Sequence, residues 1–226
     1  MEKYIKDLVL DLGADVCGIA NIERFHEAPI GFHPKDIFPG CKSVIVFGFA
    51  LPKGLLSVNP QIIYGHFNEN SCVEVDSIAF KAAKELERLY QGRAIPIPSN
   101  VPYEYWDVEL LEGRGLLSMK HAAVLAGLGT LGKSTLLLNE NYGNLLAIGA
   151  VLTELDLASD PMAESICIKE CNLCLKNCPA QALDGVSADQ KKCRPNTYGK
   201  NARGFDVVNC NQCRSVCPMR FGRVKS

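Results

Sequence analysis

One short element, C-x2-C-x3-C-P, occurs twice in the last sixty residues, and it constrains the chain more than any other feature. The first copy is Cys171, Cys174, Cys178 and Pro179, with Cys167 four positions upstream; the second is Cys210, Cys213, Cys217 and Pro218, with Cys193 alone between the copies. Two residues between cysteines let a tight turn aim both thiolates at one centre, and the proline turns the chain away and removes an amide donor. In two-cluster ferredoxins the cysteine before that proline reaches across to the other cluster. By that rule Cys167, Cys171, Cys174 and Cys217 hold one 4Fe-4S cluster, and Cys178, Cys193, Cys210 and Cys213 hold its partner. Two zinc sites of four thiolates each would use the same eight residues. Zinc ribbons, however, set their C-x2-C pairs far apart and do not demand C-x3-C-P. The spacing departs from the bacterial ferredoxin pattern at one point, where three residues rather than about two separate Cys167 from Cys171.

The other three cysteines, Cys17, Cys41 and Cys72, lie in or near apolar runs and read as buried, inert thiols. No stretch approaches the roughly 18 apolar residues of a membrane helix. The opening MEKYIKDLVLDLGADV carries acids where a signal peptide would be apolar. The expected address is the cytoplasm, where thiols stay reduced and eleven cysteines in 226 residues point to metal or redox chemistry rather than disulfides. Net charge is -1, but residues 165 to 226 hold 11 basic and 4 acidic side chains. A basic tail suggests nucleic acid, yet two oxidised clusters of about -2 each would absorb much of that charge.

Hydrophobic periodicity divides the chain at about residue 160. Ile5, Leu8, Val9 and Leu12 have helical spacing, stopped by Gly13; 15–20 and 43–51 read as buried strands; Val75 to Tyr90 carries an apolar helical stripe; and 94–102 is extended by its prolines. His66 falls in a loop. After an aromatic loop, a helix is expected over 116–126, then a hairpin made of TLLLN, the turn ENYGN and LLAIGAVLTEL. The whole is an α+β domain over 1–160 followed by a smaller cysteine-bearing domain over 161–226.

Gly127 to Ser134, GLGTLGKS, fits both the P-loop pattern and G-x-G-x-x-G. Each needs a strand before the glycines and a helix after them, so that amides at a helix N-terminus cradle phosphate. Here a helix precedes and a strand follows. The reading is a tight loop where the backbone approaches a cofactor or a packed neighbour, with Lys133 facing an anionic group.

The run AGLGTLGKSTLLLNENYGN, followed by GAVLTEL and the C-x2-C-x3-C-P pair, resembles the epoxyqueuosine reductase family, corrinoid-dependent iron-sulfur enzymes related to reductive dehalogenases. LGADVCGIANIERF and FPGCKSVIVFGFALP resemble its N-terminal helix and strands. The resemblance implies a nitroreductase-like cobalamin-binding domain fed by a two-cluster, bacterial-ferredoxin-like domain, with an external donor such as ferredoxin or flavodoxin. Gly127, Gly129, Gly132 and Lys133 are then expected at the cofactor; Tyr105 and Trp106, with Tyr103, form an aromatic cluster that reads equally as a wall for a flat macrocycle or substrate pocket and as plain core packing. FMN, which this fold holds elsewhere, is the secondary candidate. In the register of the family's proton-donating aspartate stands Gly113, leaving Glu112 as the candidate acid. Thr130 stands where the family often has tryptophan, and His121 reads as a structural histidine. The family's tRNA-acting members continue into a helical-repeat domain, and this sequence stops at Ser226. The expectation is therefore a small-molecule or protein-bound substrate, with whole tRNA excluded. The alternative is an electron-transfer protein that reduces a partner's corrinoid or flavin.

Overall fold

The computed structural model describes residues 1–208 and 210–223. In chain order its elements are α1 (Glu2–Asp11), β1 (Val16–Asn21), α2 (Pro34–Ile37), β2 (Ser43–Ala50), α3 (Ile62–Tyr90), β3 (Ala94–Ile97), β4 (Tyr105–Asp107), β5 (Glu112–Arg114), α4 (Met119–Leu125), β6 (Thr130–Leu131), β7 (Leu137–Leu138) and β8 (Leu146–Thr153). The tail adds α5 (Leu173–Lys176), α6 (Gln190–Thr197), β9 (Tyr198–Lys200), β10 (Asp206–Val208) and α7 (Gln212–Ser215). Among the described residues no helix is long and apolar enough to cross a membrane.

The main sheet is antiparallel, in the order β1-β2-β8-β3. The apolar run of β2 is buried on both faces because helices cover both. Val44 and Val46 pack toward α4 with Ala122, Ala123 and Leu152. Ile45 and Phe47 pack toward α1 and α3 with Ile5, Val9, Val75 and Ala82. α3 lies so close to the sheet that a Cβ on Gly149 would stand 2.5 Å from both the Phe47 ring and the Val75 side chain.

Three expectations need correction. α3 begins at Ile62, not Val75, and His66 is therefore helical rather than in a loop, its Nε2 3.1 Å from Asn70 Nδ2. In that first half the large apolar residues Ile62, Ile63, Phe67 and Val73 are exposed, so no stripe announces the helix. Its buried side, Tyr64 and Gly65, packs on Val208 of β10, a tertiary contact that overrides weak local propensity. The expected hairpin over 135–155 does not form as such. β7 pairs with β6, while β8 is taken up between β2 and β3, matching β2 from Ser43↔Thr153 to Ala50↔Leu146. Only the turn survives, closed by the Asn139↔Gly143 bridge. The aromatic loop is itself a small hairpin, β4 on β5.

The Gly149 contact carries a prediction. Gly149→Ala should lower stability by about 1–3 kcal/mol through overpacking, seen as a lower urea midpoint with an unchanged slope.

Candidate metal centre

The cysteine tail is built of single turns, α5 and α7, each lying inside one copy of the repeat, so that Cys171 and Cys174, and likewise Cys210 and Cys213, flank the start of a helical turn. It is seated on loop 139–145, the turn expected from ENYGN. Asn144 N–H donates to Arg220 O at 3.2 Å, Asn144 Nδ2 donates to Arg214 O at 3.1 Å, and Arg214 Nη1 returns a bond to Asn144 O. Arg223 N–H donates to Glu140 O at 2.8 Å. Gly143, at φ +58°, lets the Arg220 backbone approach where any Cβ would collide. The turn's sequence thus serves to hold the second cysteine motif.

That seating brings the eight thiols together in two rings. Cys167, Cys171, Cys174 and Cys217 line one small cavity of about 20 Å³ with Gly132, Lys133, Leu138, Ile168 and Met219. Burial first, and then Cys167, Cys174 and Cys171, push the Cys217 thiol above its ordinary range. In the second ring burial is again the main cause: with Cys210, Cys193 and Cys178 as neighbours, and against the pull of Arg214, it raises Cys213 to about 11. Four thiolates packed this way repel one another and lose hydration, so only a cationic group among them makes the arrangement favourable. Among the described residues no three such ligands converge tightly enough for a single metal ion.

The glycine loop has a definite job here. Gly127 (φ +75°) abuts the carbonyl of Pro161, and Gly129 that of Leu138, so both are occupied by backbone packing. Gly132 to Thr135 form the turn between β6 and β7, with Gly132 N–H donating to Leu136 O at 2.9 Å and Thr135 at φ +60°. A strand follows, not a helix, which removes the P-loop reading. Lys133 reaches the first ring: its Nζ donates to Lys169 O at 2.6 Å, Cys171 O at 3.0 Å and Asn172 Oδ1 at 2.9 Å. It thus meets carbonyl dipoles and brings a cation to the four thiols. The remaining candidates lie elsewhere. Glu112 Oε1 pairs with Arg114 Nη2 at 2.6 Å. Tyr105 and Trp106 are 42% and 46% exposed on the β4–β5 hairpin, Trp106 stacked at 5.9 Å on Tyr103. The six residues expected at the cofactor therefore do not form one pocket.

Sequence reasoning missed two residues beside the second ring. Lys120 of α4 donates to Thr135 O at 2.9 Å, and burial holds its ammonium below the ordinary lysine range, with Cys213 and Cys193 opposing. Asn211, between Cys210 and Gln212, is 5% exposed, and its Nδ2 has no partner among the described residues. A leftover amide donor beside two ring cysteines is the kind of group that hydrogen-bonds cluster sulfur. His121 is exposed, its Nδ1 2.7 Å from Ser118 Oγ.

Comparison with known proteins follows the same lines. No protein-family model matches the chain. An epoxyqueuosine reductase of Gloeobacter violaceus is 32% identical over 127 residues, 48% of this chain and 39% of that protein. One from Bacillus cereus is 24% identical over 203 residues, 84% of this chain and 51% of that protein. The matches thus span about half or less of these curated relatives. Among solved structures, the epoxyqueuosine reductase of Streptococcus thermophilus superposes with a TM-score of 0.70 at 18% identity, covering 99% of this chain and 67% of that one. An epoxyqueuosine reductase with an epoxyqueuosine-modified tRNA stem loop gives 0.67 at 17% identity over 96% of this chain and 64% of that one. A reductive dehalogenase described as acting by B12-dependent dehalogenation gives 0.68 at 19% over 95% of this chain and 31% of that one. The chain has the fold that epoxyqueuosine reductases share with reductive dehalogenases. Within that fold it is epoxyqueuosine reductase-like, as its glycine loop and hairpin turn imply. One finding conflicts with the expectation of a substrate other than whole tRNA: a reductase of this fold was solved with an epoxyqueuosine-modified tRNA stem loop.

Two outcomes test this description. Lys133→Met strips the donor from three acceptors and should cost about 1–3 kcal/mol, read by thermal denaturation. The Cys17 thiol, pushed up to about 12 chiefly by burial, should resist iodoacetamide at about pH 8 in the native protein and label readily at that pH once the chain is unfolded in urea, followed by peptide mass.

Proposed function

We propose that this chain is an iron-sulfur oxidoreductase of the epoxyqueuosine reductase type. Two 4Fe-4S clusters, held by Cys167, Cys171, Cys174 and Cys217 and by Cys178, Cys193, Cys210 and Cys213, carry single electrons from an external donor such as ferredoxin or flavodoxin toward a corrinoid. Residues 161–226 act as a two-cluster ferredoxin unit and residues 1–160 as the nitroreductase-like unit that binds the corrinoid. When bound, the corrinoid supplies a strongly reducing cobalt centre. The observation that carries the reading is the sorting of eight thiols into two rings of four, each closed by a cysteine from the other copy of the repeat.

The chain's own contribution is electrostatic. Lys133 stands at the first ring, and Lys120 and Arg214 at the second. Each cation favours the added negative charge of a reduced cluster. The apolar lining of the first chamber, Leu138, Ile168, Pro218 and Met219, keeps water from it. Epoxyqueuosine in a tRNA stem loop is the first substrate to test, since the relatives are named for it and a structural neighbour was solved with such a stem loop.

Anaerobic purification with iron and sulfide analysis should find about eight irons per chain, and a cobalamin titration should give a saturable change in its visible spectrum. Cys174→Ser should remove about half the iron. Zinc in place of iron would overturn the proposal; iron with no cobalamin response would remove the corrinoid from it.

A further inference from the structure

The β4–β5 hairpin stands apart from the main sheet and has little core of its own, with Val108 73% and Leu110 47% exposed. An isolated two-stranded hairpin is marginal in water, so something else holds it. That something is α6. Gly113 N–H donates to Gln190 Oε1 at 3.0 Å and Gln190 Nε2 donates to Gly113 O at 3.1 Å, a reciprocal amide pair across 77 residues of sequence. One turn further along α6, Arg194 donates from Nη2 to Tyr103 Oη at 3.1 Å, and its guanidinium carbon lies 4.9 Å from the centre of the Trp106 ring and 5.2 Å from that of Tyr103. Gln190 Oε1 also accepts from Arg194 Nε and Nη2 at 3.1 and 3.0 Å, so the two latch residues brace each other.

Gly113 is part of the device. A Cβ there would stand 3.0 Å from Arg194 Nη2 and 3.1 Å from the Tyr103 ring. A side chain at position 113 therefore crowds the latch, since Arg194 Nη2 and the Tyr103 ring must each give by a few tenths of an ångström. The helix it rests on carries Cys193, one residue before Arg194.

We propose that Gln190 and Arg194 are positioning residues that latch the β4–β5 hairpin, and with it the Glu112–Arg114 pair, onto the helix bearing Cys193. The latch stands on these contacts alone; its bearing on catalysis rests on the reductase reading above. Loss of the latch frees the hairpin without disturbing the sheet.

The test uses the anaerobically purified full chain, and Trp106 is its one tryptophan. In Arg194→Ala and in Gly113→Ala, amide exchange over 105–114 should rise about tenfold or more. Acrylamide quenching of Trp106 should rise with it, while exchange in β2 and β8 and the iron content stay at the parent values. Arg194→Lys, which keeps a cation over the rings, should recover part of the quenching protection. If Arg194→Ala loses iron, Tyr103→Ala decides from the hairpin side. Unchanged exchange over 105–114 in Arg194→Ala or Tyr103→Ala would overturn the latch. Iron analysis is read independently, so absence of clusters would sink the reductase reading and leave the latch result standing.

Discussion

The tail has almost no apolar core, and the rest of the structure answers to that lack. Between residue 165 and residue 223 the buried hydrophobic side chains are Ile166, Cys178, Ala182 and Val208. So few cannot offset the conformational entropy of ordering such a segment. Two things take the place of a core. One is the ligating capacity of eight thiols, since metal binding to sites absent from the unfolded chain is itself folding free energy. The other is the seat that the first 160 residues provide: the start of α3 under Val208, and loop 139–145 under Arg214 and Arg220.

This dependence explains features that look unrelated in the sequence. Gly65 allows α3 to meet Val208, Gly143 admits the Arg220 backbone, and Gly127 and Gly129 press the glycine loop against its neighbours. Lys133 then reaches from that loop to the first ring and ties off three acceptors. Of the tail's cations, Arg214 lies beside the Cys213 thiol, and Lys120 of α4 approaches the same thiols from the first 160 residues.

Much of this was legible in the sequence. β1, β2 and β3, the second half of α3 and the grouping of cysteines by the C-x3-C-P rule all follow from local pattern, because periodicity and ligand spacing are local properties. What stayed hidden depends on partners distant in sequence. The first half of α3 shows its apolar residues to solvent and is held from the other side by the tail. TLLLN pairs backward with β6 because β8 fits β2 over eight residues. At the site, the aromatic pair Tyr105 and Trp106 suggested a macrocycle wall, yet the Trp106 ring lies under an arginine 88 positions away in sequence. Nothing in the local pattern announces Gln190 or Arg194.

The crossing of cysteines between the two copies also bears on biosynthesis. A nascent chain that has emerged only as far as residue 209 carries three thiols of one ring, Cys167, Cys171 and Cys174, and two of the other, Cys178 and Cys193. Neither ring can close until the last copy of the repeat has been made and has folded back onto loop 139–145. On the proposed ligand sets, cluster insertion waits for synthesis of the second copy of the repeat, and a chain interrupted upstream of Cys210 is left with incomplete thiol sets instead of one finished cluster.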